Sequence, residues 1–144
     1  MAATANTAEN KRVARRFPEE VATERDLDLV DEICAEDVID HSPLGETKSS
    51  EQLKEQIEYL HTAFEDFSAT VEDIVAEGDT VAMRVLLRGR HEGPFMGVAP
   101  TGEEFEIENM VFTRIEGRRI VERWVQPDML GLFVQLGIVE PPGE

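Results

Sequence analysis

The chain reads as an α+β domain, with helices first and an antiparallel meander after them. Two changes of period carry that reading. Apolar residues recur at helical spacing as far as Phe64 and alternate from Phe67 onward. After Pro127 the helical period returns for one short closing segment. In such layers the helices cover one face of a curved sheet, and a ligand cavity lies between the two.

The first element spans about Ala8 to Glu24, where Val13, Phe17 and Val21 form a stripe. Pro18 interrupts it, and an internal proline removes a backbone hydrogen bond, so a bend or restart is expected there. Asp26 can cap a short second helix whose apolar side is Leu27, Val30 and Cys34. The segment 37–43 leaves the helical pattern and reads as a short extended piece and a loop. A third helix begins at Ser49, with Gln52 placed for a capping box, and carries the stripe Leu53, Ile57, Leu60, Phe64.

Alternation then takes over. Gly78-Asp79 suits a hairpin turn, and the strand after it sets Val81, Met83, Val85, Leu87 and Gly89 on one face before ending at His91. Residues 92–102 are rich in Gly and Pro and read as a loop. The next strand has Phe105, Ile107, Asn109, Val111, Thr113 and Ile115 on one side, and Glu116-Gly117-Arg118 turns it back. The last strand, Arg119 to Asp128, places Trp124 and Asp128 on one face. Met129, Leu130, Phe133 and Leu136 follow at helical spacing, closed by Gly137.

At 144 residues this is one domain, 1–144 with its core at about 10–137, large enough to bury a core without staples. No run approaches the ~20 apolar residues of a membrane span, and no secretory signal pattern is seen in the first residues. The single Cys34 excludes an internal disulfide, and a cytoplasmic location is expected. The three His lack metal-ligand spacing, so no metal is expected. A net charge of −17 argues against nucleic acid, which needs Lys and Arg at its phosphates. The acids are spread over every element, which suggests adaptation to high salt rather than a local docking patch.

His91, Asn109 and Asp128 fall on otherwise apolar strand faces, where an unpaired polar group costs stability. Asp128 also stands where an N-cap belongs, so helix cap and acid/base are both open. Trp124 is either core or cavity wall. His41, beside Asp40, is a loop residue or one member of an acid/base couple.

Taken in order, Asp37-Val-Ile-Asp-His41, Gly89-Arg-His-Glu-Gly-Pro-Phe-Met-Gly97, Pro100-Thr-Gly102, Val121-Glu-Arg-Trp124 and Asp128-Met-Leu-Gly-Leu132 through Gly137 resemble the SnoaL-like polyketide cyclases, or ester cyclases. The resemblance implies the nuclear-transport-factor-2-like cone: three N-terminal helices on a strongly curved antiparallel sheet around an apolar cavity, with a short C-terminal helix. It implies ring closure by intramolecular aldol condensation, without metal or organic cofactor, on a small apolar carbonyl compound. It assigns Asp128 as catalytic acid/base, puts Trp124, His91, Asn109 and His41 in the pocket, and suggests a homodimer or tetramer built through the sheet. Pro18 departs from the family, whose first helix usually continues there. The alternatives are a non-catalytic small-ligand or oligomerisation module, or an isomerase- or epoxide-hydrolase-like enzyme. The last needs an arginine between two aspartates, and Arg84, Arg88 and Arg90 are expected on the wrong strand face.

Overall fold

The computed structural model describes residues 6–141 and 143. Its elements run α1 (Thr7–Arg16), a π-helical turn (Phe17–Ala22), α2 (Asp28–Ile33), β1 (Cys34–His41), α3 (Ser50–Ala63), β2 (Phe64–Glu77), β3 (Thr80–His91), β4 (Glu104–Glu116), β5 (Arg119–Pro127) and α4 (Met129–Gln135). One sheet has the order β1-β5-β4-β3-β2, and α1, the π turn and α3 pack against it. The α+β layering is the one the periodicity predicts.

The bend expected at Pro18 is a π turn. Proline has no N–H to continue the α ladder, and the Thr23 N–H instead reaches back five residues to the Pro18 carbonyl at 3.1 Å. α3 starts as read, with the Ser49 hydroxyl accepting the Gln52 N–H and Gln52 Oε1 accepting the Lys48 N–H.

Two boundaries differ from the sequence reading. Phe64 opens β2 instead of closing α3. Asp66 takes φ 56°, the ladder to β3 slips between Glu65 and Ser68, and Phe64 and Phe67 are both buried. Cys34 is not helical. α2 ends at Ile33, and the chain turns directly into β1, which pairs in parallel with β5 (Cys34 opposite Ile120, Asp40 opposite Arg123). The ladder supplies the backbone partners that a six-residue helix could not extend.

β2 to β5 form the expected antiparallel meander. At the β4–β5 turn, Gly117 (φ 57°) and Arg118 (φ 68°) both adopt the left-handed conformation that a two-residue hairpin of this twist demands. β4 alternates over its length, burying Phe105, Ile107, Asn109, Val111, Thr113 and Ile115 as read.

β5 is where the alternation misleads. Ile120 is buried opposite Ile115, which points the even-numbered residues inward. The register then shifts: Ile115 pairs with Ile120, but Arg114 pairs with Glu122. This bulge inserts one residue at Val121, and a one-residue slip exchanges the two faces of a strand. Beyond it Arg123, Val125 and Pro127 face inward, and Trp124, Gln126 and Asp128 face out.

Candidate active site

Between the π turn, α3 and the inner face of the sheet lies a cavity of about 110 Å³. Its wall is mostly apolar, with Phe17, Ile57, Phe64, Val85, Phe105 and Ile107 among the residues that form it. Pro18, where the helix turns π, is part of the same wall. Close packing of the cone needs Gly89, because a Cβ there would meet Phe105 Cε2 at 2.9 Å.

Among the described residues lining the cavity, Asp40 is the one carboxylate and Arg123 the one cation. They stand opposite each other on β1 and β5, and Arg123 Nη1 donates to Asp40 Oδ2 at 2.5 Å. Asp40 is 1% exposed and Arg123 7%. Such a pair is drawn out of water at a cost of several kcal/mol per ion, which good geometry roughly offsets. The guanidinium carbon also lies 3.8 Å above the centre of the Phe17 ring. Asp40's backbone is fixed by two hydrogen bonds with Thr47, of 2.9 and 3.0 Å. Even so, Asp40 Oδ1 and Arg123 Nε, both buried, have no hydrogen-bond partner, and neither does Asn109 Oδ1.

The structure brings only Asn109, of the five residues expected in the pocket, to the cavity wall. Asp128 is exposed, and its Oδ1 accepts the Gly131 N–H at 2.8 Å, capping α4. Trp124 is 38% exposed on the outer face and stacks on the His41 ring, with centroids 5.6 Å apart. His41 lies outside the cavity and is paired through Nε2 with Glu122 (2.7 Å) and through Nδ1 with Glu46 (3.0 Å). Glu122 first and Glu46 second favour its charged form and raise its pKa above the ordinary histidine value. His91 is fully buried behind Phe64, not on the cavity wall. Its Nδ1 accepts the Thr101 N–H at 3.2 Å, and its backbone bonds Gly102 and Glu103, so it pins the end of the 92–103 loop.

Asp40 and Arg123 are the residues that sequence reasoning missed. Arg84, Arg88 and Arg90 do lie on the other strand face, as expected, yet Arg123 places an arginine inside the cone. An Asp–Arg–Asp arrangement still lacks its second aspartate on the cavity wall. The sequence offered no signal for the inward arginine: counted back from the Gly117-Arg118 turn without a bulge, Trp124 falls opposite the buried Val111, and only the shifted register pairs it with Phe112 on the polar face. Cys34 is buried, and burial pushes its thiol up to about 12, which removes it as a nucleophile at neutral pH. Among the described residues no three His, Cys, Asp or Glu side chains are grouped to hold a metal ion.

A curved sheet closed by helices over an apolar chamber defines the class of cone-shaped proteins with the nuclear-transport-factor-2-like fold. Within that class, residues 12–136 match the model of the SnoaL-like polyketide cyclases, and the chain belongs to that family. It is 30% identical to the aklanonic acid methyl ester cyclase DauD of Streptomyces sp. (strain C5), over 92% of this chain and 84% of that one. The structure of TsrD from Streptomyces laurentii superposes with a TM-score of 0.85 at 26% identity, covering 94% of this chain and 99% of that one. IdmH from Streptomyces antibioticus, described as a putative polyketide cyclase, superposes with a TM-score of 0.75 at 32% identity, covering 90% and 98%. The chain is thus an enzyme of the cyclase type. No helix among the described residues is long and apolar enough to cross a membrane.

Proposed function

We propose that this protein closes a ring in a small, largely apolar carbonyl compound by acid/base chemistry in the cavity, without a cofactor. The observation that carries the reading is an apolar chamber lined by Asp40, Arg123 and Asn109, each of which carries a buried polar atom without a hydrogen-bond partner. An apolar substrate body would be held by burial, and a carbonyl by those atoms. The relatives' names suggest the first substrate to try, aklanonic acid methyl ester. Conversion to an isomer of equal mass and different retention on chromatography is the expected result. An unchanged substrate pool, beside DauD consuming the same material, would overturn the reading.

One observation favours a second reading, a non-catalytic binding module. A space of about 110 Å³ is below the ~300–1,000 Å³ usual for ligand pockets. Saturable binding of apolar aromatics without turnover of any would favour it.

The same reading includes a homodimer or tetramer assembled through the sheet. Its support is a row across the outer face, Val75, Ala82, Phe112, Trp124 and His41, each opposite the next on neighbouring strands. Val75, Phe112 and Trp124 are exposed there, with Met110 beside them. A two-fold axis through such a patch would set it against its own copy. A cytoplasmic location and adaptation to high salt complete the proposal, supported by the free buried Cys34 and the net charge of −17.

A further inference from the structure

We infer that Asp40 is the acid/base of this cavity and that Arg123 holds the oxyanion formed when Asp40 takes a proton. The inference rests on the cavity being the reaction site and says which of its residues do the chemistry. In a purely structural buried pair the remaining lone pairs and protons find protein partners. Here one acceptor, Asp40 Oδ1, and one donor, Arg123 Nε–H, are left over on the two members of the same pair, and both residues line the cavity. A spare acceptor and a spare donor on one ion pair suit an enolisable carbonyl, which has an acidic C–H next to an oxygen. Both groups are fixed in place, Asp40 by Thr47 and the guanidinium by Phe17, so little reorganisation accompanies the step.

The step balances without a co-reactant. The α C–H bond breaks, the proton passes to Asp40 Oδ1, and the electron pair forms an enolate whose oxygen accepts from Arg123 Nε–H. The enolate carbon bonds to a second carbonyl carbon of the same molecule. The alkoxide so formed takes the proton back from Asp40, and the product is an isomer of the substrate. A carboxylate is a weak base, so the substrate class is one whose enolate is delocalised, a β-dicarbonyl or an aryl ketone. Asn109 lies four residues along the paired strands from the dyad, since it faces Pro127, or about 13 Å of strand.

The test uses 4-nitrophenolate, a stable aromatic oxyanion, as a stand-in for the enolate. In the intermediate state Asp40 is neutral beside an anion. Binding of the phenolate to the unaltered protein should therefore draw about one proton from buffer, read by calorimetry in buffers of different ionisation enthalpy. Asp40→Asn imitates the neutral acid, so it should bind the phenolate at least ten-fold tighter while ring closure falls at least a hundred-fold. Arg123→Lys keeps a cation for Asp40 but removes the Nε–H, and should bind the phenolate at least ten-fold more weakly. Absence of proton uptake, weaker phenolate binding by Asp40→Asn, or no saturable binding would each overturn the assignment. The first and third need no variant to fold. Proton-coupled phenolate binding in a protein that leaves aklanonic acid methyl ester untouched would overturn the substrate reading and support the dyad.

Discussion

Asp128 and Gly131 are coupled: the aspartate carboxylate accepts the Gly131 N–H at 2.8 Å, and a Cβ on Gly131 would lie 2.2 Å from Asp128 Oδ2. The carboxylate is folded over the start of α4, where unpaired N–H groups and the helix dipole favour a negative charge.

Loss of that cap should therefore be a stability effect. Asp128→Ala is expected to cost about 1 kcal/mol and Asp128→Asn a few tenths of that, by chemical denaturation. Gly131→Ala should destabilise at least as much as Asp128→Ala, since it displaces the capping carboxylate. Ring-closing turnover by Asp128→Asn should stay within about two-fold of the parent, because the group lies off the cavity wall. A hundred-fold loss in a folded Asp128→Asn would return the acid/base role to Asp128.

His41 and Trp124 give the protein a built-in pH reporter. The chain has one Trp, and it stacks on His41. The hydrogen bond to Glu122 is the largest cause raising the His41 pKa, with Glu46 adding to it against partial burial. Glu122 is pushed down in turn by His41 and then Arg114. Tryptophan emission should thus titrate with a midpoint above the ordinary histidine value of about 6.5. The sign for stability follows. A raised folded pKa stabilises fully below the unfolded value, and that contribution is lost as pH rises through the folded value. His41→Gln should lower the melting temperature near pH 6 and leave it unchanged near pH 9, by a modest amount because the His41 side chain is 33% exposed. An emission midpoint at or below about 6.5 would contradict the pairing.

How much of this was legible beforehand depends on where local pattern and long-range pairing agree. β4 was readable residue by residue because nothing interrupts its alternation. α3 and α4 were readable because Ser49 and Asp128 are caps with their partners three residues on. The charged pair on the cavity wall was not, because the inward aim of Arg123 hangs on the bulge at Val121, which no local property of Arg119–Pro127 betrays. In an unbroken strand Trp124 would face inward, and the bulge turns it outward and Arg123 inward. Asp40 was hidden for another reason. It sits on β1, whose partner β5 lies more than eighty residues away, and a short segment ending in His-Ser-Pro looks like a loop until that partner is known.

If the outer row of the sheet is the subunit interface, one charge in its middle should break it. Phe112 pairs with Ala82 on one side and Trp124 on the other, and is 54% exposed in the single chain. Phe112→Asp would bury a carboxylate without a partner in the assembled form and leave the cavity face untouched. The expected outcome is a shift from dimer or larger to monomer in sedimentation, with the melting temperature becoming independent of protein concentration. An unchanged mass would place any interface elsewhere.

Salt should stabilise this protein, and the reason lies in the arithmetic of its surface. With 31 acids and 14 Lys and Arg, 17 acids (31 − 14) remain in excess even if every base is paired. Pairs such as Arg84–Asp73 and Arg88–Glu106 use arginines on the outer sheet face, and salt weakens each slightly. The excess acids repel over distances comparable to the Debye length of about 10 Å at 0.1 M, which shrinks to about 3 Å at 1 M. Exposed pairs are worth ~0–1 kcal/mol each, so the gain from screening a spread excess of this size should exceed the loss. The melting temperature is expected to rise by several degrees between about 0.1 and 2 M KCl, with most of the gain below 1 M, where screening changes most. A flat or falling curve would mean that the ion pairs outweigh the repulsion, and that the acidity serves a basic partner instead of a salty surrounding.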